Sequence, residues 1–171
     1  MPATDPDCSG CANLATSAVG SSSGGGVSPT RGPEQMNDGL GRSNCGGFHW
    51  IFNSSVPTTT CGIPPCEWIE LSWANPVSIA SMYIETEPAT GQSPCGLSNR
   101  NLAGGTVQYF SNNQWHDVAT LSGFTDDPRL DFGGPITTNR LRVSGVVTGA
   151  ANVYNSVIYE WYVYTQPGCK P

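Results

Sequence analysis

The stretch Trp68-Ile69-Glu70-Leu71-Ser72-Trp73 constrains this chain more than any other, because Ile69, Leu71 and Trp73 fall on one side of a two-residue repeat. Only a strand puts alternate residues on one face, so the segment has to lie on a core with its other face turned away. The same pattern recurs along the chain. Strands are expected at 13–20, 48–52, 77–85, 105–111, 115–118, 129–132, 137–146 and 156–164. Turn sequences separate them: Asn75-Pro76 closes the first, and Ser111-Asn112-Asn113-Gln114 reads as a hairpin turn. Glycine and proline, 21 and 14 of 171 residues, punctuate the rest and disfavour helix interiors. Short strands joined by turns, with no amphipathic helix and no internal repeat, imply an all-β sandwich or barrel.

A chain of 171 residues is long enough to bury one sizeable core. The expected organisation is an N-terminal extension at 1–11 tethered by cysteines, a β-sandwich at 12–165 and a tail at 166–171. Residues 21–47 open on Ser21-Ser22-Ser23-Gly24-Gly25-Gly26 and hold little apolar material, so in isolation they read as a linker. The opening Met-Pro-Ala-Thr-Asp-Pro-Asp is no export signal; it reads as a chain begun after one, or cut from a longer protein.

The net charge is −6, and seven cations (six arginines and Lys170) form no basic cluster. That excludes nucleic acid as a partner and argues against membrane insertion, since anionic surfaces need a positive face and no apolar run nears the roughly 20 residues of a spanning helix. Seven cysteines, at 8, 11, 45, 61, 66, 95 and 169, lie in loop-like sequence. They read as up to three disulfides and one leftover thiol, formed in an oxidising, extracellular setting. Cys8-x-x-Cys11 has zinc-like spacing, but no second Cys-x-x-Cys or His pair follows, so disulfides are favoured. The sequon Asn53-Ser54-Ser55 fits an exported protein.

Taken in order, the motifs resemble the discoidin domain, also called the coagulation-factor C-type domain, and its near relatives the family-32 carbohydrate-binding modules. They are Asn37-Asp38-Gly39; then Trp50; then Trp68-Ile69-Glu70-Leu71-Ser72-Trp73; then Ser111-Asn112-Asn113-Gln114-Trp115; then Arg140-Leu141-Arg142-Val143; and finally Glu160-Trp161-Tyr162-Val163-Tyr164. The resemblance runs from about residue 12 to 165. It departs at Ser72, where the family has Asp, and at Asn113-Gln114, where it has Asp-Gly. It implies a discoidin-like (galactose-binding-domain-like) jelly-roll sandwich containing disulfides. Trp50, Trp68, Trp115 and Trp161 then pack the sandwich or its rim, and His49 is structural. The termini of this fold lie close together, which implies that Cys169 pairs with Cys8 or Cys11.

The resemblance also implies a structural calcium ion beside the Asp-Gly loop. Calcium takes six to eight hard oxygens. Asp38 and Glu160 would supply carboxylates, and Arg42 and Ser43 backbone or hydroxyl oxygens. A carboxylate as deep in an apolar strand as Glu160 needs a partner in any case. The ligand site implied lies in loops at one end of the sandwich, where polar side chains meet sugar hydroxyls and a ring stacks on the sugar face. The candidates there are Arg100, Asn101 and Glu87 in the 86–104 loop, and Tyr154 and Asn152 in the 147–155 loop, with Arg100 and Tyr154 foremost.

No Gly-x-Ser-x-Gly elbow, His-Glu-x-x-His helix or phosphate loop is present. Asp126-Asp127 reads as a turn before Pro128 rather than a catalytic pair. The expectation is a non-catalytic, lectin-like module of a secreted protein that binds glycans or a cell-surface glycoconjugate. The alternative is an adhesion or assembly domain of the same fold with a protein partner.

Overall fold

The structure, a computed structural model, describes residues 11–23, 31–42, 45, 47–52, 67–87, 95, 100–122, 127–148 and 155–169, without the side chains of 50–52, 147, 148 and 155. Seven strands are present among them: β1 Val19–Ser22, β2 His49–Phe52, β3 Trp68–Thr86, β4 Leu102–Ser111, β5 Gln114–Ser122, β6 Arg129–Thr148 and β7 Asn155–Tyr164. Every pairing is antiparallel, in the order β2-β7-β3-β6-β4-β5, with β1 added on β3.

Two long strands organise the molecule. β3 and β6 run side by side from the Trp68–Ser144 pair to the Tyr83–Arg129 pair, and their register breaks between Ser72 and Val77 and shifts again between Ile79 and Ser81. Before the break β3 has β1 as its other neighbour, and after it β7. The break therefore divides the strands into two half-sheets. One holds β1, the first half of β3, the second half of β6, β4 and β5. The other holds the rest of β6 and β3 with β7 and β2. Ile69, Leu71 and Trp73 from the first half-sheet and Ile79, Met82, Ile84, Trp161 and Val163 from the second belong to one buried cluster. The half-sheets thus face each other as the two layers of an all-β sandwich.

Asn75-Pro76, expected to end one strand and begin another, is instead the bulge at which β3 turns from one layer to the other. Pro76 has no N–H to give a ladder, and it sits where the pairing lapses. Likewise 129–132 and 137–146 are parts of the single strand β6. The hairpin reading holds: Asn112 and Asn113 join β4 to β5 with φ of 51° and 60°, the left-handed pair a two-residue hairpin turn requires.

The segment 13–20 is not one strand. The Asn13 carboxamide accepts from Ala15 N at 3.0 Å and starts a 3₁₀ turn, Leu14–Ser17, so that only Val19–Ser22 is extended. Nor are the described residues of 21–47 a linker. Pro33 opens a second 3₁₀ turn, Pro33–Met36, that puts Met36 in the core. The Asn37 amide donates to the carbonyls of Ala15 and Ala18 at 2.8 Å each, fastening the two turns together.

Cys11 is bonded to Cys169, one of the two pairings expected for Cys169, and Cys45 is bonded to Cys95. Cys8, Cys61 and Cys66 lie outside the described residues. His49 is buried, with its ring nitrogens 3.1 Å from the Arg31 carbonyl and 2.9 Å from the Ser22 hydroxyl. Burial lowers its pKa and keeps it neutral, so its role is structural. Trp161 is wholly buried, whereas Trp68 and Trp115 are half-buried.

Candidate functional site

The two ends of the sandwich differ. At one, the ends of β3, β4, β6, β7 and β2 meet: Leu102 pairs with Thr148, Thr86 with Ile158 and Phe52 with Asn155. Thr86 is the knot. Its hydroxyl donates to the Val157 carbonyl at 2.7 Å and accepts from Leu102 N at 3.1 Å, joining three strands through one buried side chain. Of the expected ligand residues, Glu87 directly follows β3, and Arg100 and Asn101 directly precede β4.

They are not equally presented. Glu87 and Asn101 are 0% and 1% exposed, while Arg100 is half-exposed. The Arg100 carbonyl accepts from Val157 N at 2.9 Å, and the Asn101 carbonyl accepts from the Ser156 hydroxyl at 3.2 Å. Their backbones thereby belong to the strand-end framework. Glu87 Oε1 accepts from the Tyr159 hydroxyl; its other oxygen, also buried, has no hydrogen bond among the described residues. Tyr159 packs edge-on against Phe48, and the Arg31 guanidinium lies 3.6 Å from the centre of the Phe48 ring. Tyr154 and Asn152 lie outside the described residues.

Sequence reasoning missed the strongest polar constellation at this end. Asp127, read as a turn residue, accepts from Arg42 Nη2 at 2.5 Å, from the Tyr83 hydroxyl at 2.6 Å and from Thr86 N at 2.8 Å. Arg42 Nη2 also donates to the Thr86 carbonyl. Burial opposes the Arg42 charge, but Asp127 and then Glu85 outweigh it and hold its pKa above the ordinary value. Burial, with Asp127, pushes the Tyr83 hydroxyl up, so it stays protonated as a donor. No local motif marks this group, since Arg42 and Asp127 stand 85 residues apart. The disulfide Cys45–Cys95 lies beside it, with the Arg42 carbonyl 3.8 and 3.6 Å from its sulfurs.

Next to this group lie the expected calcium ligands. Asp38 is exposed and accepts from Leu40 N at 2.9 Å, an Asx turn. Glu160, on β7, is buried; it accepts from Gly39 N at 2.9 Å and from the Asn13 amide at 3.4 Å. Burial raises the Glu160 pKa to about 7; Asp38 adds to the rise, and bonds from Gly39 N and Gly41 N oppose it. Glu160 also sits directly opposite Glu85, a like-charge pairing that destabilises a sheet. Asp38 and Glu160 fit a hard cation in donor type and in charge, because a divalent ion would offset the burial, and the lesser Asp38 repulsion, that raise the Glu160 pKa. The Arg42 backbone N–H donates to Glu85 at 2.7 Å, and its guanidinium is directed to Asp127. Ser43 lies outside the described residues.

No protein-family model matches the sequence, and no curated protein does. Solved structures do. The family-32 carbohydrate-binding module of Streptococcus pneumoniae EndoD superposes with a TM-score of 0.66 at 14% identity, covering 91% of this chain and 100% of the module. Chitosan-binding module 1 of a Paenibacillus sp. IK-5 chitosanase/glucanase gives 0.65 at 18% identity, covering 90% and 98%. The family-32 module of C. perfringens NanJ, solved with galactose, gives 0.60 at 14% identity, covering 88% and 95%. At such identities the likeness shows the fold alone, an all-β sandwich of the kind these modules have.

Proposed function

We propose that this chain is a non-catalytic carbohydrate-binding module of a secreted protein, and that it takes its glycan at the end of the sandwich where Arg100 and the Arg42–Asp127 group meet. The observation that carries the reading is this convergence. One half-exposed arginine stands on a framework of buried polar groups at the strand ends, in a fold shared by solved modules named for carbohydrate, chitosan or galactose. A rigid framework under a half-exposed polar residue suits sugar recognition, which needs hydroxyl partners held in fixed geometry. Asp38 and Glu160, with oxygens of Arg42 and Ser43, hold a structural calcium ion in this reading. The ion would fix the loop at 38–42 rather than touch the sugar.

Two disulfides among the described residues support an extracellular setting, and none of the described helices is long and apolar enough to cross a membrane. The test is a broad glycan array on the oxidised, folded protein with and without calcium. Binding that a free sugar competes away, and that Arg100→Ala abolishes, is the expected result. A blank array from folded protein overturns the reading in favour of a protein-adhesion domain.

A further inference from the structure

On the sandwich layer built from β3, β6, β4 and β5, the residues facing away from the core form two cross-strand rows. Leu71, Leu141, Val143 and Val107 point inward, so their neighbours point out. In the first row Glu70 stands opposite Arg142, Arg142 opposite Gln108, and Gln108 opposite Asp117. In the second, Ser72 stands opposite Arg140, and Phe110 opposite Trp115. Phe110 comes one step after the Tyr109–Leu141 pair, which places it beside Arg140. At about 4.8 Å between strands, four strands make a face roughly 14 Å wide.

The ionic pairing on this face is displaced by one position. Glu70 stands across from Arg142 but gives both oxygens to Arg140, at 2.6 Å to Nε and 3.0 Å to Nη2. Asp117, at the far end of the same row, accepts from the Gln108 amide at 2.6 Å. The Gln108 oxygen accepts from Arg142 Nε at 2.7 Å. Glu70 is therefore paired with Arg140, and Asp117 gives Oδ1 to Gln108 rather than to Arg142. Among the described residues, Arg142 Nη1 and Nη2 have neither a hydrogen bond nor an ion pair. The guanidinium lies 3.9 Å from the centre of the Trp115 ring, and that of Arg140 lies 4.9 Å from the same ring. Phe110 meets Trp115 edge-on at 5.2 Å. Acidic groups outnumber basic ones 13 to 7 in this chain, yet here one planar guanidinium lies over a ring, is fixed through Nε and has no partner for its fork among the described residues.

We propose that this face is a second ligand site, separate from the loop end, and that it takes an acidic saccharide. Arg142 receives one carboxylate of a uronic-acid unit through Nη1 and Nη2, the bidentate geometry that suits a guanidinium. The sugar ring lies along the Phe110–Trp115 edge, and Asp117, which is exposed, accepts from a hydroxyl. Glu70 and Arg140 compensate one another and Asp117 adds a negative charge at the far end of the row, so the face suits a ligand with an isolated anionic group on an otherwise hydroxylated surface. A dense polyanion would meet Glu70 and Asp117.

The test is an NMR titration of the whole chain with an aldotetraouronic acid, three neutral xylose units bearing one glucuronic acid, using its carboxyl-reduced neutral counterpart as the control. The Trp115 indole N–H signal is assigned through Trp115→Phe. Saturable binding that moves this signal, weakens at least tenfold in Arg142→Gln and less in Arg142→Lys, and is at least tenfold weaker for the neutral tetrasaccharide is the expected result. The inference is overturned by no saturable binding to the folded wild type, by equal binding to a folded Arg142→Gln, by equal affinity for the neutral form, or by shifts confined to Arg100 and its neighbours.

Discussion

The two outer faces of the sandwich treat their carboxylates in opposite ways. On the layer of β3, β6, β4 and β5, Glu70 meets an arginine on the neighbouring strand. On the other layer Glu85 and Glu160 face each other across β3 and β7, and the N-terminal segment is laid over them. Asn13 there accepts from Val163 N and donates to Glu160; Gly39 N and Arg42 N donate to Glu160 and Glu85. Gly41 permits this approach, since at φ +59° a Cβ would lie 2.7 Å from a Glu85 oxygen and 2.9 Å from the Tyr162 hydroxyl. One face pairs Glu70 and Asp117 with side chains of the sheet itself. The other recruits main-chain donors, becomes covered, and leaves a buried acid that does not ionise normally.

The sharpest break of this comparison removes one carboxylate from each face. Asp127→Ala strands Arg42 and the Tyr83 hydroxyl in the covered region, where the ion-pair side chains are only 21% and 10% exposed. Denaturant unfolding should show a loss of about 3 kcal/mol. Glu70→Ala removes an equally short pair, but Arg140 is 39% exposed and turns to water. Its loss should be about 1 kcal/mol or less. Equal losses from the two variants would mean that burial does not distinguish the faces.

The second prediction concerns pH. Glu160 keeps its proton up to about pH 7 in the folded chain, against about 4.3 for an unfolded glutamate. Between those values the native state binds the extra proton, so without added metal its contribution is most favourable below about pH 4 and declines as pH rises to 7. The full swing is on the order of 3 kcal/mol, and Glu160→Gln should flatten this part of the pH–stability curve. Calcium supplies the third. A cation between Asp38 and Glu160 favours the ionised form, so at pH 7 it should raise Tm in the wild type and not in Glu160→Gln. No Tm shift on chelation removes calcium from the account.

How far the sequence disclosed this follows from the range of each interaction. The inward set Ile69, Leu71 and Trp73 and the turn Asn112-Asn113 were legible because alternation and turn chemistry are local. Asn13 was misread as part of a strand because its capping bond competes with extension over only a few residues. Met36 escaped because the polar, Gly-rich stretch around it conceals a core contact made through two short turns. The Cys11–Cys169 pair was within the alternatives that the resemblance implied. Cys45–Cys95 and the Arg42–Asp127 group were not, since each joins segments 50 or more residues apart through no repeating pattern. The displaced pairing of Glu70 with Arg140 likewise depends on register, which the strand sequences do not carry individually.

The central claim is that a glycan is held at the loop end, and the most direct test is amide chemical-shift mapping with the tightest neutral sugar from the array. The account predicts saturable shifts clustered at 86–87, 100–102 and 155–157, lost in a folded Arg100→Ala. Shifts that instead fall on the sheet face around Trp115, or saturable binding untouched by Arg100→Ala, would contradict it.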